Sequence, residues 1–148
     1  MKKTGRKPAG EEAFRKRMNA KGLKVTAQRL AVHGAMSKLI HASAESVYEM
    51  IHDSCRISPS SVYNILSDLA DNGIYGRRFS ANNKMYFDVF PDRHVHLYDI
   101  RNNEIIDVEA GDLADQVEAG LKRRRFRGYK IESIDIQIVC HQTRKKLI

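Results

Sequence analysis

SPSSVYNILSDLADNGIYGRRFSANNKMYFDV, residues 58–89, is the stretch whose reading decides the fold. Ser58-Pro59 reads as an N-cap followed by a first helical residue. Val62, Ile65, Leu66 and Leu69 recur at helical spacing over Ser60–Asp71, and Asn72-Gly73 closes the helix. After Gly73 the period changes. Ile74–Ser80 and Lys84–Val89 read as two strands joined by Ala81-Asn82-Asn83. Upstream, Glu11–Lys21 carries Ala13, Phe14 and Met18 on one stripe and ends at Gly22. Thr26 caps a second helix to about Lys38, with Leu30, Ala31, Gly34 and Ala35 inside. Ser43 caps a third, Ala44 to about His52, burying Val47, Tyr48 and Ile51. The segment Asp53–Ile57 is a turn. Helices joined by a short turn and followed by a hairpin make a winged helix-turn-helix.

Beyond this unit, Phe90-Pro91-Asp92 reads as a hinge. Strands His94–Arg101 and Glu104–Glu109, helix Asp112–Arg124 and strand Tyr129–Val139 follow. In the last strand Ile131, Ser133, Asp135 and Gln137 alternate with Ile134, Ile136 and Ile138. The fold class is therefore α+β. Residues 1–10 form a flexible basic arm, 11–89 a winged helix, 90–93 a hinge and 94–148 a small second lobe with a basic, frayed tail from Thr143 to Ile148. At 148 residues such lobes have thin cores, of the kind that lean on a partner chain or a metal.

The charge is uneven. Residues 1–87 hold 15 Lys and Arg against 7 Asp and Glu, whereas residues 88–148 hold 11 of each, so the whole excess lies in the first part. The four cations of the arm account for half of it, and the folded part is basic as well, which points to a polyanionic partner there. No apolar run approaches the ~18 residues of a membrane span. Met1–Pro8 has basic residues with no apolar stretch behind it, unlike a secretory signal. A cytoplasmic protein with no membrane partner is the expectation. Cys55 and Cys140, with no CxxC, read as small buried hydrophobes rather than a disulfide pair.

His94 and His96, flanked by Asp88 and Asp107, carry the chemistry. Residues two apart on a strand share a face, so both imidazoles can grip one ion. A two-residue turn at Asn102-Asn103 would pair residue 98 with residue 107, placing Asp107 on the same face. Imidazole plus carboxylate suits Zn, Fe or Mn. The plain alternative is two edge-strand histidines among surface acids, and Glu109 replaces Asp107 if the hairpin slips. On the fourth helix, Ser58, Ser60, Ser61, Tyr63 and Asn64 offer hydroxyls and an amide to phosphates and base edges. That helix has no arginine, which favours shape readout and A·T preference over guanine reading. Arg77, Arg78 and Lys84 on the wing, with Lys16, Lys24 and Arg29, would neutralise backbone charge.

Four ordered stretches resemble the ferric uptake regulator family. They are Gly22-Leu23-Lys24-Val25-Thr26-Ala27-Gln28-Arg29, His41-Ala42-Ser43-Ala44-Glu45-Ser46-Val47-Tyr48, Ser60-Ser61-Val62-Tyr63-Asn64-Ile65-Leu66 and Met85-Tyr86-Phe87-Asp88, with His94-x-His96 in register after them. The resemblance spans roughly residues 14–143. It implies a homodimeric, metal-dependent transcriptional repressor, not an enzyme, whose second lobe dimerises and which binds palindromic A/T-rich double-stranded DNA. It places the regulatory site on His41, Asp88, His94, His96 and Asp107, holding one divalent ion per chain, Fe2+ or Mn2+, with Zn2+ possible in purified samples. Three of the family's four structural-zinc thiols are replaced: the positions read Asp99, Asn102, Cys140 and Thr143, so no structural zinc is expected. Arg93 stands where the family's run has its first histidine. Asp107 resembles the peroxide-sensing branch, which implies oxidation of His41 or His94 by peroxide at Fe(II). The alternatives are an iron- or haem-responsive regulator of metal homeostasis and, in another class, a non-haem iron enzyme. No small-molecule substrate is expected.

Overall fold

A computed structural model describes residues 2–92 and 94–143. Arg93 of the expected hinge and residues 144–148 of the expected basic tail lie outside the described residues. The chain divides into two compact units: Arg6–Asp92, and the residues from 93 onward together with the first five.

In the unit Arg6–Asp92 the helices are α1 (Glu11–Ala20), α2 (Ala27–Leu39), α3 (Ala44–Ile51) and α4 (Pro59–Asp71). Three of them start at hydroxyl caps read from the sequence. Thr26, Ser43 and Ser58 each accept the backbone N–H three residues on, at 3.1 Å, which satisfies a donor the helix leaves over. Phe14, Met18, Val32, Met36, Val47, Val62, Leu66 and Leu69 are fully buried and form one core. Gly73, at φ +72°, supplies the left-handed residue that ends α4. The chain then enters an antiparallel sheet of β2 (His41–Ala42), β4 (Met85–Asp88) and β3 (Gly76–Phe79), in the order β2-β4-β3.

β2 is too short to show in the sequence. Its two residues pair His41 with Asp88 and Ala42 with Phe87. The chain turns into it at Ile40, at φ 65° and ψ −54°, a region a β-branched residue rarely occupies. The turn is held from both sides: Ile40 N–H donates to Met36 O at 2.8 Å, and Val89 N–H donates to Ile40 O at 3.0 Å.

In the other unit the strands are β1 (Lys2–Lys3), β5 (Val95–Asp99), β6 (Glu104–Glu109) and β7 (Ile136–Cys140), in the order β1-β6-β5-β7. β5 and β6 are antiparallel, and β7 runs parallel to β5. α5 (Leu113–Lys122) precedes β7. Three expectations are corrected here. Lys2 and Lys3 do not belong to a flexible arm but pair with Glu109 and Val108, which satisfies an edge of β6 that would otherwise face solvent. The hairpin loop is Ile100–Asn103 rather than two residues, so His96, not residue 98, faces Asp107. The last strand begins at Ile136 rather than Tyr129, because β5 offers only five residues for parallel pairing. Tyr129 and Ile131 are correspondingly exposed.

His33 is a buried polar residue of the helical core. Its ring stacks on Phe14 with centroids 3.9 Å apart. Burial keeps the Tyr75 phenol protonated, so its hydroxyl donates to His33 Nδ1 at 2.7 Å. His33 Nε2 then carries the hydrogen and donates to Ala9 O at 2.7 Å. Burial lowers the His33 pKa. The unfolded chain protonates this group near pH ~6.5 and the folded chain does so only further down. In that window the unfolded state binds more protons, so this contribution to stability is complete above the unfolded value and is lost as pH falls through the folded one. The urea midpoint is expected to fall on acidification from about pH 7.5 to about pH 5.5, and to fall less in His33→Gln.

Candidate metal centre

Within the second unit, His94 directly precedes β5, His96 lies on it and Asp107 faces His96 from β6. Spacing by two puts both imidazoles on the face that Asp107 shares. Asp107 Oδ1 lies 3.1 Å from His94 Nε2 and 3.1 Å from His96 Nε2. The two rings are 4.2 Å apart, centroid to centroid. His96 is fully buried and the Asp107 side chain nearly so. The three ligand atoms lie within 4.8 Å of one another. One carboxylate oxygen between two imidazole nitrogens, shielded from water, is a donor set that fits a divalent transition ion. Glu109, the alternative ligand, is exposed at the end of β6, with its backbone paired to Lys2. On the same sheet face His96 Nδ1 lies 3.5 Å from Asp135 Oδ1.

Within the first unit, His41 and Asp88 are partners across the β2–β4 pair. His41 Nε2 lies 3.6 Å from Asp88 Oδ2, and both side chains are largely shielded from solvent. The His41 ring meets Tyr86 edge-on. Asp88 is fully buried, and its oxygens are held separately. Oδ1 accepts the backbone N–H of Phe90 at 2.9 Å. Oδ2 accepts Arg78 Nε–H at 2.8 Å. Of the five expected residues, His94, His96 and Asp107 thus meet within the second unit, and His41 and Asp88 meet within the first.

Arg78 departs from its expected place on the DNA-facing wing. Its guanidinium turns inward to Asp88 and also donates to Phe90 O at 3.1 Å and Asp92 O at 2.9 Å. The sequence hid this because β3 is half-exposed, so alternation alone does not say that a long side chain folds back over the sheet. Arg29 is engaged too, donating to Lys24 O at 2.6 Å and lying 3.6 Å from Asp68. Arg77 remains exposed while donating to Asp71 at 3.2 Å. Lys16 lies 3.8 Å from Glu12, and Lys16, Lys24 and Lys84 are exposed. On α4, Ser60, Tyr63 and Asn64 are exposed, whereas the Ser58 hydroxyl caps the helix and donates to Ser61 Oγ.

At the positions read as lost zinc thiols, Asp99 accepts hydrogen bonds from the backbone N–H groups of Arg101 and Asn102 and from the Asn102 side chain. These bonds, the Asn102 amide foremost, hold the Asp99 carboxyl below the usual carboxylate range. Cys140 is the partner of Asp99 on β7, and Ile100 N–H donates to Cys140 O at 3.0 Å.

The sequence profile of the Ferric uptake regulator family matches residues 20–139. The chain belongs to that family. It is 34% identical over 76 residues to the ferric uptake regulation protein of Haemophilus influenzae, a match over 49% of this chain and 52% of that one. The chain therefore aligns with about half the length of that curated relative. The fold matches the ferric uptake regulator of Vibrio cholerae with a TM-score of 0.68 at 21% identity, over 87% of this chain and 99% of that one. It also matches the peroxide stress regulator of Campylobacter jejuni with a TM-score of 0.62 at 20% identity, over 91% and 97%.

Removing one member of a buried ion pair leaves the other charge uncompensated. Arg78→Ala is expected to cost about 3 kcal/mol, read as a drop in the urea midpoint, and Arg78→Lys to recover part of it.

Proposed function

We propose that this protein is a metal-dependent DNA-binding transcriptional regulator, not an enzyme, that acts as a homodimer. The observation that carries the reading is the largely shielded trio of His94, His96 and Asp107, because two imidazoles closed around one carboxylate oxygen make a ligand set rather than a surface cluster. Membership of the family supports extending the site to His41 and Asp88, so that one divalent ion per chain, Fe2+ or Mn2+, is served by residues of both units. An ion bound by both would favour one arrangement of the units over others, and so bias where two recognition helices sit. No structural zinc is proposed, since the Asp99–Asn102 turn is closed by its own hydrogen bonds.

The DNA contacts proposed are the exposed α4 face with Ser60, Tyr63 and Asn64, together with Lys16, Lys24, Arg77 and Lys84, on palindromic A/T-rich duplex. Dimerisation is assigned to the second unit. Phe126, Tyr129, Ile131 and Val139 are large apolar residues exposed there, more than a small unit ordinarily leaves in water. Asp107 and the likeness in fold to a peroxide stress regulator favour peroxide as the signal. Peroxide is then the oxidant, which Fe(II), when bound, would activate, and His41 and His94 are the candidate targets. A cytoplasmic location follows from this reading. Among the described residues no helix is long and apolar enough to cross a membrane.

In a gel shift on A/T-rich palindromic duplex, Mn(II) is expected to tighten binding at least tenfold, about 1.4 kcal/mol, and added salt to weaken it steeply. His94→Ala is expected to abolish the Mn(II) effect while leaving the metal-free affinity in place. DNA affinity indifferent to Mn(II) would overturn the metal reading. Peroxide added to the Fe(II)-loaded protein should increase the mass of a peptide containing His41 or His94 by one oxygen atom. An unchanged mass there leaves iron or haem response as the better assignment.

A further inference from the structure

His96 is fully buried, so both of its ring nitrogens have to be accounted for by protein groups. Nε2 faces Asp107 Oδ1 at 3.1 Å. Nδ1 lies 3.5 Å from Asp135 Oδ1, within ion-pair reach. Asp135 directly precedes β7, and Gln137, on the same face of that strand, is the register partner of His96. The Gln137 side-chain amide donates to Asp135 Oδ2 at 3.1 Å. The carboxylate is thus steadied on one oxygen while the other faces the imidazole. A metal-binding histidine needs its second nitrogen protonated and directed at an acceptor, which fixes both the tautomer and the ring plane. A neutral imidazole with hydrogen on Nδ1 leaves the Nε2 lone pair for an ion.

We infer that Asp135, steadied by Gln137, is the positioning residue that fixes the tautomer and orientation of His96 so that Nε2 is the nitrogen offered beside Asp107. The inference rests on the metal reading above and adds a residue of β7's leading end to it. Polar residues in a strand that otherwise alternates with isoleucine are accounted for by the same assignment. Ile136 and Ile138 occupy one face of β7, while Gln137 lies on the other, beside Asp135, which directly precedes the strand.

The test is Mn(II) titration by calorimetry of the full chain and of Asp135→Ala, Asp135→Asn and Gln137→Ala, with nitrogen-15 NMR of the His96 ring in the metal-free proteins. Asp135→Ala is expected to weaken Mn(II) binding by about ten- to a hundredfold and to move His96 from the Nδ1–H form to a mixture of tautomers. Asp135→Asn keeps an acceptor oxygen and is expected to restore most of the affinity. Gln137→Ala, which leaves the carboxylate in place, is expected to lose only a few-fold. If Asp135→Ala lowers thermal stability, the His96 tautomer read in its folded fraction still decides, because a merely structural role would leave it unchanged. Wild-type affinity or an unchanged tautomer in Asp135→Ala overturns the inference alone. A wild-type chain that takes up no Mn(II) overturns the metal reading beneath it.

Discussion

The register of β5 against β6 is the constraint on which the site depends. His96 can be fully buried because Asp107 stands opposite it, and His94 reaches the same oxygen because it is two residues away. A slip of one residue would send Asp107 to the other face of the sheet and leave two shielded imidazoles without their carboxylate. A slip of two keeps the face, which is why the turn expected at Asn102-Asn103 still put the right residues together. The actual loop, Ile100–Asn103, is closed by Asp99, whose carboxylate accepts from the backbone amides of Arg101 and Asn102. The pairing that builds the trio is thus set at the hairpin end by a hydrogen-bonded turn.

In the other unit a buried carboxylate is made tolerable by different means. Asp88 has no exposed surface, and an ionised group there is costly unless it is paired and hydrogen-bonded. The Phe90 amide and the Arg78 guanidinium supply both. The same guanidinium binds two carbonyls of the chain that leaves β4. One side chain of the wing therefore fixes a candidate ligand and the path of the backbone beyond it. An arginine read from its position as a phosphate contact is part of the scaffold of Asp88, a candidate ligand, and the DNA contacts proposed for the wing rest on Arg77 and Lys84 instead.

What was legible in the sequence follows how local each cause is. Thr26, Ser43 and Ser58 cap helices within three residues of themselves, and Gly73 ends α4 by its own backbone conformation, so four helices could be read nearly to their ends. The core positions Phe14, Met18, Val62 and Leu66 followed from the helical period. The histidine pair, two apart on a strand, was visible for the same reason. Three other features were not local. β2 exists only because His41 and Ala42 find β4, 47 and 45 residues away in register. Lys2 and Lys3 are ordered only by an edge of β6. Residues 129–135 alternate like a strand, yet β5 begins at Val95, opposite Ile136, and offers them no partner. Alternation reports which faces a segment could present, and a partner strand decides whether it is used.

The second unit shows why a metal and a partner chain belong in any account of its stability. Among its described residues only Val95, Tyr98 and Val108 are apolar and buried, and no residue of α5 is. Three such side chains contribute roughly 1.5–3 kcal/mol each, against about 1–2 kcal/mol of backbone entropy for every residue ordered. The other buried residues of β5 include His96, beside Asp107, and Asp99, bound to the backbone amides of Arg101 and Asn102, polar groups that add little hydrophobic burial. An ion held by His94, His96 and Asp107 would stabilise the folded form by mass action, about 2.7 kcal/mol at a hundred times its dissociation constant. Covering Tyr129, Ile131 and Val139 with a second copy would add apolar burial of the kind this unit lacks. On this view metal binding and dimerisation do more than regulate a finished lobe. They act on a unit whose own core is small, and that makes its folded population responsive to both.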